Sequence, residues 1–157
     1  MTAEIGVARL TRMQAIDLPP PSGNLVDDCE LRARKLLGTL KVYDGFYIHI
    51  KGPDEPGHDG DCHLKTETIA TIDKHFSGNL LPKIKLDKIL LCVTADHSTP
   101  CTLKAHSDDP VPLLISGDNI QNDGSRSFSE ETCNRGSLGT LEQGSELMPL
   151  LMKFLKA

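Results

Sequence analysis

Three loops of this chain set histidine beside aspartate, the side chains from which catalytic metal sites are built. They are Lys51-Gly52-Pro53-Asp54-Glu55-Pro56-Gly57-His58-Asp59-Gly60-Asp61, Thr94-Ala95-Asp96-His97-Ser98-Thr99-Pro100 and Lys104-Ala105-His106-Ser107-Asp108-Asp109-Pro110-Val111-Pro112. Donor sets that mix carboxylate oxygen with imidazole nitrogen suit Mn, Zn, Co or Fe, whereas all-oxygen shells suit Mg or Ca and thiolate shells suit structural zinc. The candidate ligands are Asp54, His58, Asp96, His97 and His106. Glycine reaches φ > 0 without penalty and proline fixes φ, so the residues around Asp54 and His58 can form the tight loop that such ligands need. A solitary histidine is more often solvated or capping, and His49, His63 and His75 are read that way.

Convergence of these loops requires elements that end on one side. Cys29, Ala33, Leu36, Leu37 and Leu40 follow the i, i+4, i+7, i+8, i+11 pattern of a core-facing helix, with Asp27 and Asp28 favouring its N-terminus. Residues 43–50 form an aromatic and β-branched run, Ile69, Ile72 and Phe76 mark a helix over about 61–75, and residues 86–93 are nearly continuous apolar sequence. Strand, helix, strand in that order predicts a βαβ unit in a parallel sheet covered by helices, with residues 111–116 as a third strand. Parallel strands joined by one crossover present their C-terminal ends together, the edge where open α/β sheets bind ligands. The first residues, through Met13, are read as a ragged helix. Residues 117–144 are polar, and Leu147, Leu150, Leu151, Phe154 and Leu155 make an apolar stripe that Ser145 is placed to cap.

Taken together, the motifs resemble the archaeal-type branch of the cofactor-independent phosphoglycerate mutases, in the alkaline phosphatase superfamily. The resemblance rests on residues 49–61, on residues 91–100 with their Thr-Ala-Asp-His-Ser-Thr-Pro core, on residues 106–112, and on the ending Gly144-Ser145-Glu146-Leu147-Met148-Pro149-Leu150-Leu151. It implies an α/β three-layer sandwich with a mostly parallel sheet and an alkaline-phosphatase-like core, incomplete in this chain. It also implies two divalent metal ions: manganese first, with zinc, cobalt or magnesium as alternatives, and no 2,3-bisphosphoglycerate. On that resemblance Asp54, His58 and His106 hold one ion and Asp96 and His97 hold the other. A serine nucleophile would carry the phosphoryl group between the hydroxyls of phosphoglycerate.

Family members are well over twice this long, and their N-terminal part supplies the serine and a further aspartate ligand. Ser98 and Ser107 neighbour ligands and do not match the nucleophile. The chain is therefore expected to be one C-terminal part, residues 1–157, of a single metal-binding domain, folding alone but inactive alone. The alternatives are another phosphoryl transferase of the superfamily, or a non-catalytic fragment that acts only with a separate N-terminal half.

Composition narrows the classes. Seventeen Lys and Arg against 22 Asp and Glu give a net charge of -5, which argues against a phosphate-backbone footprint and thus against nucleic acid. No apolar run approaches the ~20 residues of a membrane span, and no leader pattern opens the chain, so a cytoplasmic protein is expected. Five cysteines are odd in number and form no C-x-x-C pair, which fits reduced thiols, although Cys62 lies beside the first metal string. Asp61 and Lys65 share a helix face; they are either a substrate-phosphate contact or a surface ion pair. Arg126 and Arg135 are further candidates for phosphate, and oligomeric state is left open.

Overall fold

The computed structural model describes residues 2–156. Seven α-helices and two strands are present among them: α1 (Thr2–Leu10), α2 (Leu25–Thr39), α3 (Asp54–Asp59), α4 (Cys62–Ile72), α5 (Gly78–Leu80), β1 (Leu91–Thr94), β2 (Leu113–Ser116), α6 (Glu130–Asn134) and α7 (Leu147–Lys156). The α/β class is as expected. None of the described helices is long and apolar enough to cross a membrane.

Helix α2 forms where its pattern predicts. The Asn24 side chain accepts from Val26 N at 3.0 Å, Asp27 and Asp28 occupy the positive end, and Cys29, Ala33 and Leu36 are buried. Helix α4 begins under the carboxylate of Asp61, which accepts from Leu64 N at 2.9 Å. It runs on through a wide π turn at Asp73–Ser77 into α5 and a 3-10 turn at Leu81–Lys83. Leu80 joins α2 in the core, and His75 Nδ1 lies 3.1 Å from Glu30 Oε1, tying the π turn to α2.

The sheet departs from the parallel expectation. Strands β1 and β2 pair antiparallel, Leu91 opposite Ser116 and Thr94 opposite Leu113. Parallel pairing needs a crossover that carries the chain back along the sheet; here residues 95–112 turn without a helix, so β2 returns alongside β1 in the opposite sense. Residues 43–50 form no strand, and Tyr47 and Ile48 are exposed. An extended segment becomes a strand only when a neighbour takes its N–H and C=O groups, and no described segment lies there to do so.

Three smaller readings are also corrected. The expected strand 86–93 shortens to β1 because residues 85–88 turn, Lys88 N donating to Lys85 O at 2.9 Å. Leu155 of the α7 stripe is exposed, while Leu147, Leu150, Leu151 and Phe154 are half-buried. A 3-10 turn at Gly144–Glu146 precedes α7, with Gln143 N donating to Glu146 Oε2 at 3.3 Å, so Ser145 lies within the turn and is not the cap. In the polar stretch, Ser129 caps α6 and Arg135 pairs with Glu131 at 2.8 Å.

Candidate metal centre

Helix α3 carries Asp54 and His58 four residues apart, hence on one face. Pro56 and Gly57 of the same helix are buried. A Cβ at Gly57 would stand 2.7 Å from Thr99 O, so only glycine lets α3 approach the 98–104 turn this closely. Gly60 ends the helix at φ 78°, the left-handed region, and turns the chain to Asp61 and α4.

The hairpin brings in the rest. Ser98 and Ser107 form an antiparallel bridge beyond the strands, Ser107 N donating to Ser98 O at 3.1 Å. That pairing sets His97 and His106 against each other, with ring centroids 3.9 Å apart. His106 Nε2 then lies 3.5 Å from Asp54 Oδ1, His58 Nε2 lies 3.5 Å from the same oxygen, and the two rings are 4.9 Å apart. One ligand atom from each of Asp54, His58 and His106 falls within a mutual 4.8 Å. Convergence of the three loops is thus observed, produced by an antiparallel hairpin where a parallel crossover was expected. Asp96 stands apart from that cluster, its Oδ2 3.7 Å from His97 Nε2.

Hydrogen bonds set which histidine nitrogens face inward. His58 Nδ1 is 3.2 Å from Lys104 O; a carbonyl only accepts, so Nδ1 donates and Nε2 is the nitrogen turned toward Asp54. Thr99, buried at 3% exposure, donates its hydroxyl to Asp54 Oδ1 at 2.6 Å. Its single proton being committed there, Thr99 Oγ1 accepts from His97 Nδ1 at 3.2 Å, which leaves His97 Nε2 turned toward Asp96. The Thr99 bond, first, and the neighbouring His58, His97 and His106 hold the Asp54 carboxyl below its usual range against the opposing effect of burial. These are the outer contacts that orient metal-binding histidines and carboxylates, so the donor set fits a divalent transition metal in both chemistry and support.

Asp61 caps α4 while Lys65 Nζ donates to Thr99 O at 2.6 Å, so each is engaged away from the other. Thr99 and the carbonyl of Lys104 escaped the sequence reading. Thr99 stands two residues past His97 in a ligand string, but its role depends on the fold bringing Asp54 alongside.

The metalloenzyme superfamily model matches residues 5–154. The 2,3-bisphosphoglycerate-independent phosphoglycerate mutase of Thermococcus kodakarensis is 37% identical over 150 residues, covering 96% of this chain and 36% of that protein. The protein of the same name from Aeropyrum pernix is 37% identical over 157 residues, covering 99% of this chain and 37% of its own length. The chain thus spans about a third of the length of these relatives. The solved structure of the PH0037 protein from Pyrococcus horikoshii superposes with a TM-score of 0.88 at 34% identity, covering 96% of this chain and 45% of that one. With a matched stretch that takes in every ligand candidate, this chain belongs to the metalloenzyme superfamily.

Proposed function

We propose that this chain is the C-terminal, metal-binding part of a 2,3-bisphosphoglycerate-independent phosphoglycerate mutase that interconverts 3-phosphoglycerate and 2-phosphoglycerate through a phosphoserine. The carrying observation is the clustering of Asp54, His58 and His106 in a chain 37% identical to relatives bearing that name. The family implies a divalent metal. In this reading Asp54, His58 and His106 hold one ion, and Asp96 and His97 contribute to a second, with further ligands and the serine coming from outside this chain. Manganese is the first choice, and zinc, cobalt and magnesium are the alternatives. Such ions neutralise charge on a transferring phosphoryl group and favour the ionised nucleophile.

This chain's own residues do the holding. Lys104 O and Thr99 fix the ring orientation of His58 and His97, and Thr99 links Asp54 to His97. Lys65 keeps two N–H donors after its bond to Thr99 O and supplies positive charge for the substrate phosphate. Asp61 serves the same end by capping the helix that carries Lys65. The longer protein is a three-layer, mostly parallel, alkaline-phosphatase-like sandwich in which residues 43–50 gain a strand partner, and it works in the cytoplasm with its glycolytic substrate.

The test is an assay of the intact gene product with manganese and 3-phosphoglycerate, without 2,3-bisphosphoglycerate. Formation of 2-phosphoglycerate, lost in Asp54→Ala, is expected. Release of inorganic phosphate from simple esters with no 2-phosphoglycerate assigns the metal centre to another phosphoryl transferase. The 157-residue chain alone is expected to turn over nothing.

A further inference from the structure

The turn that delivers Lys104 O to His58 ends in a backbone conformation that lysine rarely adopts. Leu103 N and Lys104 N both donate to Pro100 O at 3.0 Å, which closes a single turn in the manner of a helix C-terminus. Such turns commonly finish on a left-handed residue, and glycine usually fills that place because a Cβ there crowds the next carbonyl. Here the residue is Lys104, at φ 53°; among the described residues only Arg12, at φ 60°, is another non-glycine with positive φ. Lys104 is exposed, so burial does not impose the arrangement. Its carbonyl accepts from His58 Nδ1 at 3.2 Å. Its stem lies over Gly60, the residue at φ 78° that ends α3. A Cβ on Gly60 would run into Lys104 Cε, 3.0 Å from Nζ and 3.3 Å from Cys101 O.

We propose that Lys104 is a positioning residue for His58: its left-handed backbone aims the carbonyl at Nδ1, and its aliphatic stem, laid over Gly60, offsets the cost of that conformation. The inference rests on the reading of His58 as a metal ligand. Strained backbone persists where its surroundings over-determine it, and the bonds to Pro100 O together with the stem on Gly60 do so here. In a histidine that ligates through Nε2 the proton sits on Nδ1, so an acceptor fixed opposite Nδ1 sets both tautomer and ring plane. A main-chain acceptor survives any substitution at position 104. The new side chain can still displace it, by drawing the backbone toward negative φ. Lysine is therefore needed for its stem and its main chain, and its charge is incidental to this role.

The full-length protein, carrying 15N-labelled histidine and loaded with zinc as a diamagnetic probe, reports on the contact directly by NMR. His58 Nδ1–H should give a proton signal protected from exchange with water. Lys104→Val, β-branched and so least suited to positive φ, should lose that protection and bind zinc about tenfold more weakly. Lys104→Ala, which has the strain without the stem, should bind about threefold more weakly. Lys104→Gly should recover most of the loss in both readings because glycine takes this φ freely, and Lys104→Met should do the same by keeping the stem. Side-chain size alone would rank glycine below alanine, so the reversed order is the signature of a backbone role. Arg12→Val, the same change at the other left-handed residue, should leave zinc affinity as it is.

Lys104→Val behaving as the parent protein, or Lys104→Gly as weak as Lys104→Ala, overturns the backbone role. Lys104→Met as weak as Lys104→Ala overturns the part given to the stem and assigns it to the ammonium. Should Lys104→Val fail to fold, the comparison of alanine with glycine decides. Absence of zinc binding in the parent protein counts against His58 as a ligand instead, and protection of Nδ1–H across the same series in metal-free protein then decides the positioning by itself.

Discussion

Asp54, His58 and His106 reach one point from two separate segments, whereas of the chain neighbours Asp96 and His97 only His97 touches that cluster, through Thr99 and the His106 ring. The first set places three ligand atoms within 4.8 Å; the second offers one 3.7 Å contact. Adjacent residues on an extended chain tend to diverge, so a pair of them makes a half-site that needs donors from elsewhere, while residues one helical turn apart plus a hairpin partner can close a site locally. Both sets are open, with side chains 42–53% exposed in the triad and 33–61% in the pair. The difference between them is therefore one of convergence and not of burial. Thr99 is the hinge of the comparison, because its hydroxyl touches Asp54 on one side and His97 on the other.

On the proposed reading, removing a member of the triad should have the largest effect. Asp54→Ala or His58→Ala is expected to weaken manganese binding at least about 100-fold by titration calorimetry, since two remaining ligands fix geometry poorly. Thr99→Val should follow, at about 10- to 100-fold, because it keeps shape but strips the donor from Asp54 and the acceptor from His97. Thr99→Ser should restore most of that loss. His97→Ala is expected to cost the triad about tenfold or less, acting through Thr99 and through the His106 ring it packs on. If His97→Ala equals His58→Ala, the two sets are one site and the comparison fails.

The three loops were legible in sequence from their glycines, prolines and donor types, and the family resemblance grouped Asp54, His58 and His106, which the fold brings together. The route by which they meet was not. Residues 43–50 and 86–93 look alike as apolar, β-branched runs, yet only the second yields a strand, β1, because only it finds a partner in β2. Strand propensity describes a fit to a half-buried pleated surface and says nothing of whether a neighbour is there. Direction of pairing was misread for a related reason: the helix between the two runs suggested a crossover, while the actual partner of β1 lies downstream across a helix-free turn. Thr99 was invisible because its function follows from the register of that turn, Ser98 opposite Ser107.

The smallest effect expected concerns a carboxylate held by backbone amides, where Asp54 is held by a hydroxyl, and lying outside both metal sets. Asp123 accepts from Ser125 N and Ser137 N, each at 3.0 Å, and these two backbone bonds are the largest causes that bring its pKa down to about 2. A folded-state pKa below the unfolded value of ~3.9 means that its contribution is fully present above that pH and is lost as pH falls toward about 2. Carboxyl carbon shifts followed by NMR should therefore titrate near 2 for Asp123 in metal-free protein, with the Ser125 and Ser137 amides moving together over the same interval. Asp123→Asn should loosen that loop at neutral pH by losing the charge that both amides favour, yet leave manganese affinity unchanged. A fall in affinity there would tie the polar segment to the metal centre and break the separation on which the comparison of triad and pair depends.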